Sequence, residues 1–293
     1  MKKIGRIITL LFVLVVVWAV WSLFSHGFST PDAADYPHQL RVLTYNTHGL
    51  GLTGNKNAQE LLAYVGSRDA DIVCMQEVSV YKNSDHLSLP ELRRAMRQYP
   101  YTYYDFKVYN SHRQFGNVVF SRYPLIHKYT LPYQSRSNIS SRCDVVVGTD
   151  TLRLIVNHLE SYRLNRNDLQ LDSIRATSFK NSTLNRKLES AGKLRRQQAN
   201  VVHSEVKSSP YPVLVVGDFN APPTSYVYWR IKLGLRDCFL ETGRAQLGNT
   251  YIRHHLGIRI DYILCSRSLQ PLDFHIDKVH YSDHYPIMAT VGW

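Results

Sequence analysis

The sequence predicts an α/β protein of the α+β type, in which two packed, mainly antiparallel β-sheets are flanked by helices in a four-layer sandwich. Three observations support this prediction. Short runs of Val, Ile and Leu recur along the chain, helical patterns are interspersed among them, and no Pro/Gly-rich or Ser-rich linker follows residue 40. A chain of 293 residues with 44% apolar content buries a substantial core, so we expect one large domain over residues 41–293.

The N-terminus predicts one transmembrane helix ahead of this domain. Residues 7–24 carry no charged side chain, and this length is close to the roughly 20 residues of a spanning helix. Three cations precede the stretch, which predicts a cytoplasmic N-terminus and an extracytoplasmic domain, in the periplasm or outside the cell. A cleaved signal peptide is the alternative, but the bulky residues that follow offer no good cleavage site. We expect an uncleaved anchor over residues 1–30 and a tether over residues 31–40.

Charge narrows the class of partner. The net charge is +12, and without Lys2, Lys3 and Arg6 the remaining 32 cationic side chains still exceed the 23 acidic ones by about 9. This excess favours anionic partners such as nucleic acid, phosphorylated small molecules or anionic lipid, although a merely basic surface fits the composition equally well. The four cysteines lack CxxC or Cys/His spacing, so no zinc site is predicted.

The first half of the domain alternates strands with helices. Leu61, Leu62 and Val65 have helical spacing, the aromatic residues from Tyr101 onward alternate as in a strand, and Gly148 opens a plausible hairpin turn. The predicted strands are residues 41–46, 71–78, 101–106, 117–120, 143–148 and 152–158, and the predicted helices are residues 57–68 and 90–98.

The second half begins with residues 163–208, the longest segment without strand character. It is rich in Arg, Lys, Asn, Gln and Ser and settles into a helical pattern near Leu194 and Val202. We interpret it as a solvated helix and loop, with a substrate-binding insertion as the alternative. The elements predicted after it are strands at residues 212–217, 259–266 and 285–291 and a helix that opens near Pro223.

Five short polar motifs each follow or end an apolar run. They are Asn46 in LTYNTHGL, Gln76 and Glu77 in DIVCMQEV, His158 in LIVNHLES, Asp218 and Asn220 in VLVVGDFN, and Asp283 and His284 in YSDHYPI. A buried strand delivers the polar residue at its end to the edge of a sheet. We therefore expect these side chains to converge on one site.

The residue types in these motifs are suited to phosphate-ester hydrolysis. Glu77 at a strand end is a reasonable ligand for Mg²⁺, which binds a few oxygens together with waters and substrate phosphate. Strand alternation places Asp218 and Asn220 on one face, where a carboxylate takes a proton from a water that an amide orients. Taken singly, a Glu at a strand end is usually solvated, and a GDxN sequence is usually an Asx turn.

In this fixed order, the motifs resemble those of the endonuclease/exonuclease/phosphatase superfamily, the Mg²⁺-dependent phosphodiesterases and phosphatases related to deoxyribonuclease I. The resemblance spans residues 41–293. It implies that Glu77 binds Mg²⁺, with Mn²⁺ as a substitute, and that Asn46 and Asp283 complete or support the metal shell.

The resemblance also implies that Asp261, in RIDYIL, orients His284 and keeps it cationic toward the phosphate oxygens. His158 marks the branch of the superfamily. Apurinic endonucleases have a tyrosine-based motif at this strand, whereas the deoxyribonuclease, sphingomyelinase and deadenylase-like branches have a histidine. Inositol polyphosphate 5-phosphatases carry a Trp before the Gly-Asp motif, where this chain has Val216.

The sequence GNVVFSRYPL resembles a generic core strand and turn of the superfamily, and we expect Arg113 and Asn117 to face the phosphate. The function expected from the whole chain is that of an exported, membrane-anchored nuclease that hydrolyses phosphodiester bonds. A sphingomyelinase-like lipid phosphodiesterase or a phosphatase of small esters is the alternative. An inactive binding module is disfavoured because a competent residue fills every motif position.

Overall fold

A computed structural model of the protein describes residues 31–50, 55–82, 86–108, 110–133, 135, 137–162, 183–242, 248–253 and 256–293. None of the helices within these ranges has both the length and the apolar character that a bilayer-spanning helix requires. The anchor predicted over residues 7–24 lies outside the described residues.

Two six-stranded sheets form the centre of the described structure. In spatial order, the first consists of β13 (Gln270–Ile276), β14 (Ile287–Gly292), β1 (Gln39–Leu50), β2 (Ile72–Tyr81), β4 (Arg113–Ser121) and β3 (Tyr101–Val108). The second consists of β5 (Leu125–Thr130), β6 (Ile139–Val147), β7 (Asp150–His158), β8 (Val213–Asp218), β12 (Asp261–Ser266) and β9 (Leu235–Asp237). A separate hairpin pairs β10 (Tyr251–Arg253) with β11 (Leu256–Ile258).

Helices precede or follow several of these strands. They are α1 (Asn55–Gly66), α2 (Leu89–Ala95), α3 (Thr183–Lys207), α4 (Tyr226–Lys232) and α5 (Cys238–Thr242). Ser88 and Glu91 form a capping box that begins α2, and Ser225 caps α4 by accepting a hydrogen bond from the backbone N–H of Tyr228. These side chains satisfy backbone donors that the first turn of a helix leaves free.

Each sheet combines one parallel pair with antiparallel neighbours. The parallel pairs are β1–β2 and β7–β8, which are connected through α1 and α3 respectively, and the remaining pairs are antiparallel. The predicted strand, helix, strand unit at residues 41–78 is therefore present. The sheets are mixed, as expected for a fold in which crossover helices cover the outer faces.

Apolar side chains of the two sheets meet in a central core and also pack against the outer helices. The central core includes Val42, Ile72, Val119, Leu154, Val216, Ile263 and Ile287. Leu61 of α1 packs on the outer face of the first sheet, and Val202 of α3 and Ile231 of α4 pack on the second. Burying each such side chain contributes about 1.5–3 kcal/mol. The layers are therefore helix, sheet, sheet, helix, which confirms the predicted architecture in its coarse form.

Candidate active site

Both sheets present their motif residues at the same end of the sandwich. In the parallel pairs, Asn46 is the register partner of Gln76, and His158 is the register partner of Asp218. Asp218 also lies opposite Asp261 in the antiparallel β8–β12 pair. The amide Nδ2 of Asn46 donates a hydrogen bond of 2.9 Å to Asp218 Oδ2, and this contact joins the first sheet to the second. The motif ends of the two sheets therefore meet at one site, although the buried Gln76 instead donates to the Thr44 hydroxyl within the first sheet.

Gly217 allows the two central strands of the second sheet to approach closely. Its φ of +112° lies in the region that favours glycine, and a Cβ atom there would lie 2.2 Å from the carbonyl oxygen of Asn157. A larger residue would push β8 away from β7. The glycine thus permits the next residue, Asp218, to lie beside His158.

Asp218 lies at the centre of the site and is 1% exposed. Its Oδ2 accepts hydrogen bonds from the side-chain amides of Asn46, at 2.9 Å, and Asn220, at 3.0 Å. Its Oδ1 accepts the backbone N–H of Asn220 at 2.7 Å. Burial, reinforced by the charge of Asp261, raises the pKa of Asp218 to about 6 although nearby imidazoles oppose the rise. A carboxylate with such a pKa is well matched to accepting a proton near neutral pH.

Asn220 has a left-handed backbone conformation, with φ of +48°. Asparagine tolerates this region better than most residues, and here it places the amide beside Asp218. The Nδ2 group donates to Asp218 and, at 3.0 Å, to the carbonyl oxygen of Leu159. Phe219 between them is buried against Tyr262, with ring centroids 4.6 Å apart. The two polar side chains therefore lie together and Phe219 points into the core as expected, but the cause is an Asx turn after the end of β8 and not strand alternation.

His284 and Asp261 form a buried pair. Nδ1 of His284 lies 2.9 Å from Asp261 Oδ2, and its Nε2 lies 3.9 Å from Asp218 Oδ2. Burial disfavours the imidazolium, but the charge and hydrogen bond of Asp261, with the charges of Asp218 and Asp283, raise the pKa of His284 to about 10. The ring also packs against Tyr251 at a centroid distance of 4.8 Å. The site thus holds a positively charged imidazole beside the Asp218 carboxylate.

Glu77 lies where the regular pairing of β2 with β4 shifts in register, and its φ is +58°. Its Oε1 accepts a hydrogen bond of 3.2 Å from Asn46 Nδ2 and lies 3.2 Å from His158 Nε2. Burial opposes ionisation, but the hydrogen bonds of His158 and Asn46 lower the pKa of Glu77 to about 2. The side chain is 24% exposed. It therefore presents a negative charge to the open side of the site.

His158 is buried, and its two ring nitrogens have different surroundings. Nε2 lies near Glu77 and 2.9 Å from Nδ2 of Asn138, whereas the buried Nδ1 has no hydrogen-bond partner within the described residues. Burial lowers the pKa of His158, but the hydrogen bond and charge of Glu77, together with the charge of Asp218, leave the pKa raised. Phe115 packs edge-on against the ring at 6.4 Å. A buried polar atom without a protein partner is a place for an ordered water.

Asp283 lies at the rim of the site and is 30% exposed. Its Oδ1 lies 3.2 Å from His48 Nδ1. The neighbouring Ser282 hydroxyl donates to the carbonyl oxygen of Asn46 at 2.8 Å, and the backbone N–H of His48 donates to Asn46 Oδ1 at 3.0 Å. The segment before β14 is thus held against the end of β1.

Arg113 and Asn117 lie on β4 in different surroundings. Arg113 donates to the Ser79 hydroxyl at 2.8 Å, and its guanidinium lies over the Phe115 ring, 5.2 Å from the centroid. Asn117 is fully buried, and its Nδ2 donates across the sandwich to the carbonyl oxygen of Ile139 at 3.3 Å. The expectation that Asn117 faces the phosphate is therefore wrong, because its side chain points into the inter-sheet core and joins the two sheets.

Two contributors to the site were not predicted, the side chain of Asn138 and the carbonyl of Leu159. This carbonyl accepts hydrogen bonds from Asn138 Nδ2, at 2.9 Å, and Asn220 Nδ2, at 3.0 Å. The backbone N–H of Leu159 donates to the carbonyl oxygen of Asp218 at 3.0 Å. Asn138 lies in a polar segment between β5 and β6 that carries no strand pattern or motif, so no sequence signal identifies it.

Helix α3 holds the residues that follow β7. Gln198 Oε1 accepts the backbone N–H of Glu160 at 2.8 Å, and Arg195 Nη1 donates to the Glu160 carbonyl oxygen at 2.6 Å. Arg195 is 3% exposed and lies 3.9 Å from the centroid of the Tyr162 ring. Burial lowers the pKa of this arginine. The C-terminal part of segment 163–208 is therefore a packed helix of the domain.

Residues 43–284 match the sequence model of the Endonuclease/Exonuclease/phosphatase family. No curated protein matches the chain at a significant level.

Solved structures share the fold. An endonuclease/exonuclease/phosphatase from Beutenbergia cavernae has a TM-score of 0.67 at 19% identity, with 87% of this chain and 71% of that chain covered. Truncated TDP2 from Caenorhabditis elegans has a TM-score of 0.64 at 18% identity and covers 87% of this chain and 98% of its own. A family protein from Bacteroides thetaiotaomicron gives 0.60 at 14% identity, with 87% and 97% covered. At these identities the likeness establishes the fold alone.

Proposed function

The chain belongs to the endonuclease/exonuclease/phosphatase family and is a phosphoesterase, and from this premise we propose that it is a Mg²⁺-dependent phosphodiesterase that cuts nucleic acid. One observation carries the proposal. The buried Asp218 is held by the amides of Asn46 and Asn220 and faces the Asp261–His284 pair. This arrangement suits a proton acceptor that works beside a positive charge.

A divalent cation fits the residues at the open side of the site. The hydrogen bonds of Glu77 within the described structure use Oε1, which leaves Oε2 for a cation. The carboxylates of Glu77, Asp218, Asp261 and Asp283 outnumber the two imidazoles, so the site attracts positive charge. Mg²⁺ needs only a few protein oxygens, and we assign these to Glu77 with support from Asn46 and Asp283. When bound, the cation polarises the scissile phosphate, and Mn²⁺ is expected to substitute.

A second group of side chains has metal-binding geometry but a different role in the proposal. Ligand atoms of Asp218, Asp261 and His284 lie within 4.8 Å of one another. His284 Nδ1, however, is already 2.9 Å from Asp261 Oδ2. With its raised pKa, His284 is a cation, and a cationic imidazole does not bind a metal ion. We assign these residues to proton transfer and charge stabilisation.

The proposed reaction uses these residues in sequence. Asp218 accepts a proton from a water that Asn220 orients, and the water oxygen bonds to the phosphorus as the bond between the phosphorus and the leaving ester oxygen breaks. The His284 imidazolium, held by Asp261, stabilises the negative charge that develops on the phosphate oxygens. His158, whose Nε2 lies beside Glu77, contacts the phosphate or protonates the leaving oxygen.

The choice of nucleic acid as substrate rests on charge and on the direction of the site. Without Lys2, Lys3 and Arg6, which precede the predicted anchor, cationic side chains still exceed acidic ones by about 9. Strand β1 runs from Gln39 to the site at Asn46, so the tether would join the domain roughly 23 Å from the site, at the other end of the sandwich. A site turned away from the anchoring membrane favours a soluble polyanion over a bilayer lipid.

We further propose that the domain lies outside the cytoplasm, held by an anchor over residues 7–24 and a tether over residues 31–40. The support is the uncharged stretch and the cations that precede it. Protease added to intact cells or spheroplasts should digest the domain and leave a short membrane-bound fragment. Protection of the domain until the membrane is dissolved would contradict this topology.

The function is tested by incubating the full chain with single-stranded DNA, double-stranded DNA, RNA, sphingomyelin and an inositol phosphate. We expect cleavage of a polynucleotide in Mg²⁺ and none in EDTA. Glu77→Gln should raise the Mg²⁺ concentration needed for half-maximal rate, because it removes the charge nearest the open side. An unchanged metal titration would contradict the role of Glu77, and turnover of lipid or a small ester alone would replace nucleic acid as the substrate.

A further inference from the structure

Large apolar side chains are exposed along α4 and just beyond it. Tyr226 is 49% exposed, Trp229 is 59% exposed and Leu233 is 61% exposed. Their spacing of three and four residues places them along one side, away from the buried residues of α4, which are Val227, Tyr228 and Ile231. A cluster of exposed apolar side chains indicates a surface that binds a ligand, a membrane or another macromolecule.

Cations are interleaved with these rings. The guanidinium of Arg196 lies over the Tyr226 ring, 5.9 Å from its centroid, and Lys232 Nζ lies over the Trp229 ring at 5.5 Å. Helices α3 and α4 together contain eight Lys and Arg residues and two Glu residues. We call the surface formed by Arg196, Asn200, Tyr226, Trp229, Arg230 and Lys232 the α3–α4 patch. Its charge is complementary to that of a polyanion.

Hydrogen bonds hold the patch in a defined geometry. Asn200 Oδ1 accepts the Tyr226 hydroxyl at 3.0 Å and the Nε group of Arg230 at 2.8 Å. Trp229 packs edge-on against the Tyr228 ring, with centroids 5.4 Å apart. Because its hydroxyl is held by this hydrogen bond, the Tyr226 ring lies along the surface and exposes a face. Nucleobases stack on such faces, whereas rings that enter a bilayer project outward, so the geometry favours nucleic acid over lipid.

The electrostatic environment of His203 also indicates positive potential at this surface. His203 lies on α3, and burial lowers its pKa, with the charges of Arg230 and Lys207 lowering it further. The same potential attracts phosphate groups.

Both helices of the patch are connected to segments that carry catalytic residues. Helix α4 starts six residues after Asn220. On α3, Arg196 directly follows Arg195, whose guanidinium holds the carbonyl of Glu160, two residues beyond His158. Helix α4 thus follows the segment that carries Asn220, and helix α3 contacts the segment that follows His158.

We propose that the α3–α4 patch binds single-stranded nucleic acid on one side of the scissile phosphate. Bases stack on Tyr226 and Trp229, and backbone phosphates contact Arg196, Arg230 and Lys232. This inference rests on the proposed nuclease function and extends it, because it makes the enzyme prefer unpaired strands whose bases are free to stack.

Fluorescence anisotropy tests the proposal with the full chain carrying Asp218→Asn, which prevents cleavage, and a labelled oligothymidylate of 20 nucleotides. Loss of a stacked base weakens binding roughly 5- to 150-fold, so Tyr226→Ala and Trp229→Ala should each raise Kd within that range. Trp229→Phe keeps an aromatic face and should restore most of the affinity. Tyr129→Ala is the matched control, since Tyr129 is 44% exposed and lies under Arg142, on edge strand β5. Its Kd should equal that of the parent.

A second measurement separates this inference from the proposed function. With Asp218 intact, Trp229→Ala should raise KM for the oligonucleotide and leave turnover of bis(p-nitrophenyl) phosphate unchanged. If the wild-type protein cleaves DNA and Trp229→Ala has an unchanged Kd and KM for the oligonucleotide, the proposed role of the patch is overturned but the nuclease function is not. A wild-type protein that hydrolyses the small ester but neither binds nor cuts a polynucleotide would overturn the nuclease proposal and the patch together. If Trp229→Ala loses binding to phosphatidylglycerol vesicles but keeps its affinity for the oligonucleotide, the patch contacts a bilayer instead.

Discussion

Replacing Asp261 by Asn isolates the group that keeps His284 charged. Asp261 is 2% exposed, and its Oδ2 lies 2.9 Å from Nδ1 of His284. The substitution retains the shape of the side chain, and the backbone N–H at this position still donates to the Thr250 hydroxyl. What changes is the negative charge beside the imidazole.

The raised pKa of His284 gives the expected size of the effect on its charge. The pKa of His284 rises from 6.5 to about 10, and at about 1.4 kcal/mol per tenfold change in proton affinity this favours the imidazolium by about 5 kcal/mol. Burial acts in the opposite direction, so without Asp261 we expect His284 to be mainly neutral at pH 7.5. Losing one preorganised electrostatic contact to the transition state lowers kcat by roughly 10²- to 10³-fold.

Two measurements check this expectation. NMR titration of the metal-free protein should show the His284 pKa falling toward or below 7 in Asp261→Asn. Because Asp261 also raises the pKa of Asp218, the variant should regain part of its rate at lower pH, where His284 is protonated and Asp218 is still ionised. Asp273→Asn, which changes an exposed Asp–His pair with His275 on β13, should leave kcat unchanged. A His284 that still titrates near 10 in Asp261→Asn, or an unchanged kcat, would refute the reasoning.

Three further outcomes follow from individual contacts. Because the pKa of Asp218 is raised to about 6 and the ionised form accepts the proton, kcat/KM should increase with pH up to about 6 and then level off. A kcat/KM that does not change between about pH 4 and about pH 7 would contradict this. Asn138→Ala removes a donor to the carbonyl next to His158 and should lower kcat about tenfold with an unchanged circular dichroism spectrum; full activity would show that the contact is dispensable. Gly217→Ala forces a Cβ atom against the Asn157 carbonyl and should destabilise the fold by more than about 2 kcal/mol in urea titration, whereas wild-type stability would contradict the close approach.

The strands that carry the site could be predicted because they are buried on both faces. Strand β8, for example, is buried along its full length, so its sequence is an unbroken apolar run that a carboxylate ends at Asp218. Strand β7 ends in the same way at His158. In such strands a polar residue at the end stands out, and its type indicates its chemistry.

Other strands were missed because they lie at sheet edges. Strand β5 (Leu125–Thr130) buries only its first residue, so no apolar pattern distinguishes it from a loop. Strand β13 (Gln270–Ile276) contains Pro271 and is also an edge strand. Edge strands form because a neighbouring strand provides hydrogen-bond partners, and a local sequence pattern does not record that neighbour.

The contacts between side chains in the site also could not be predicted from local sequence patterns. Asn46 and Asp218 are 172 residues apart in the chain, and their contact depends on how the two sheets pack. The same packing turns Asn117 into the core and brings Asn138 to His158. Sequence motifs indicated the candidate residues, whereas tertiary packing determined which atoms meet.

The most direct test of the central claim is the rate at which the full chain cleaves a single-stranded oligonucleotide, beside Asp218→Ala of equal thermal stability. The account predicts cleavage that EDTA abolishes and Mg²⁺ restores, and a variant that remains folded but inactive. Undiminished cleavage by Asp218→Ala, or a folded wild-type protein that leaves every phosphodiester intact in Mg²⁺, would contradict it.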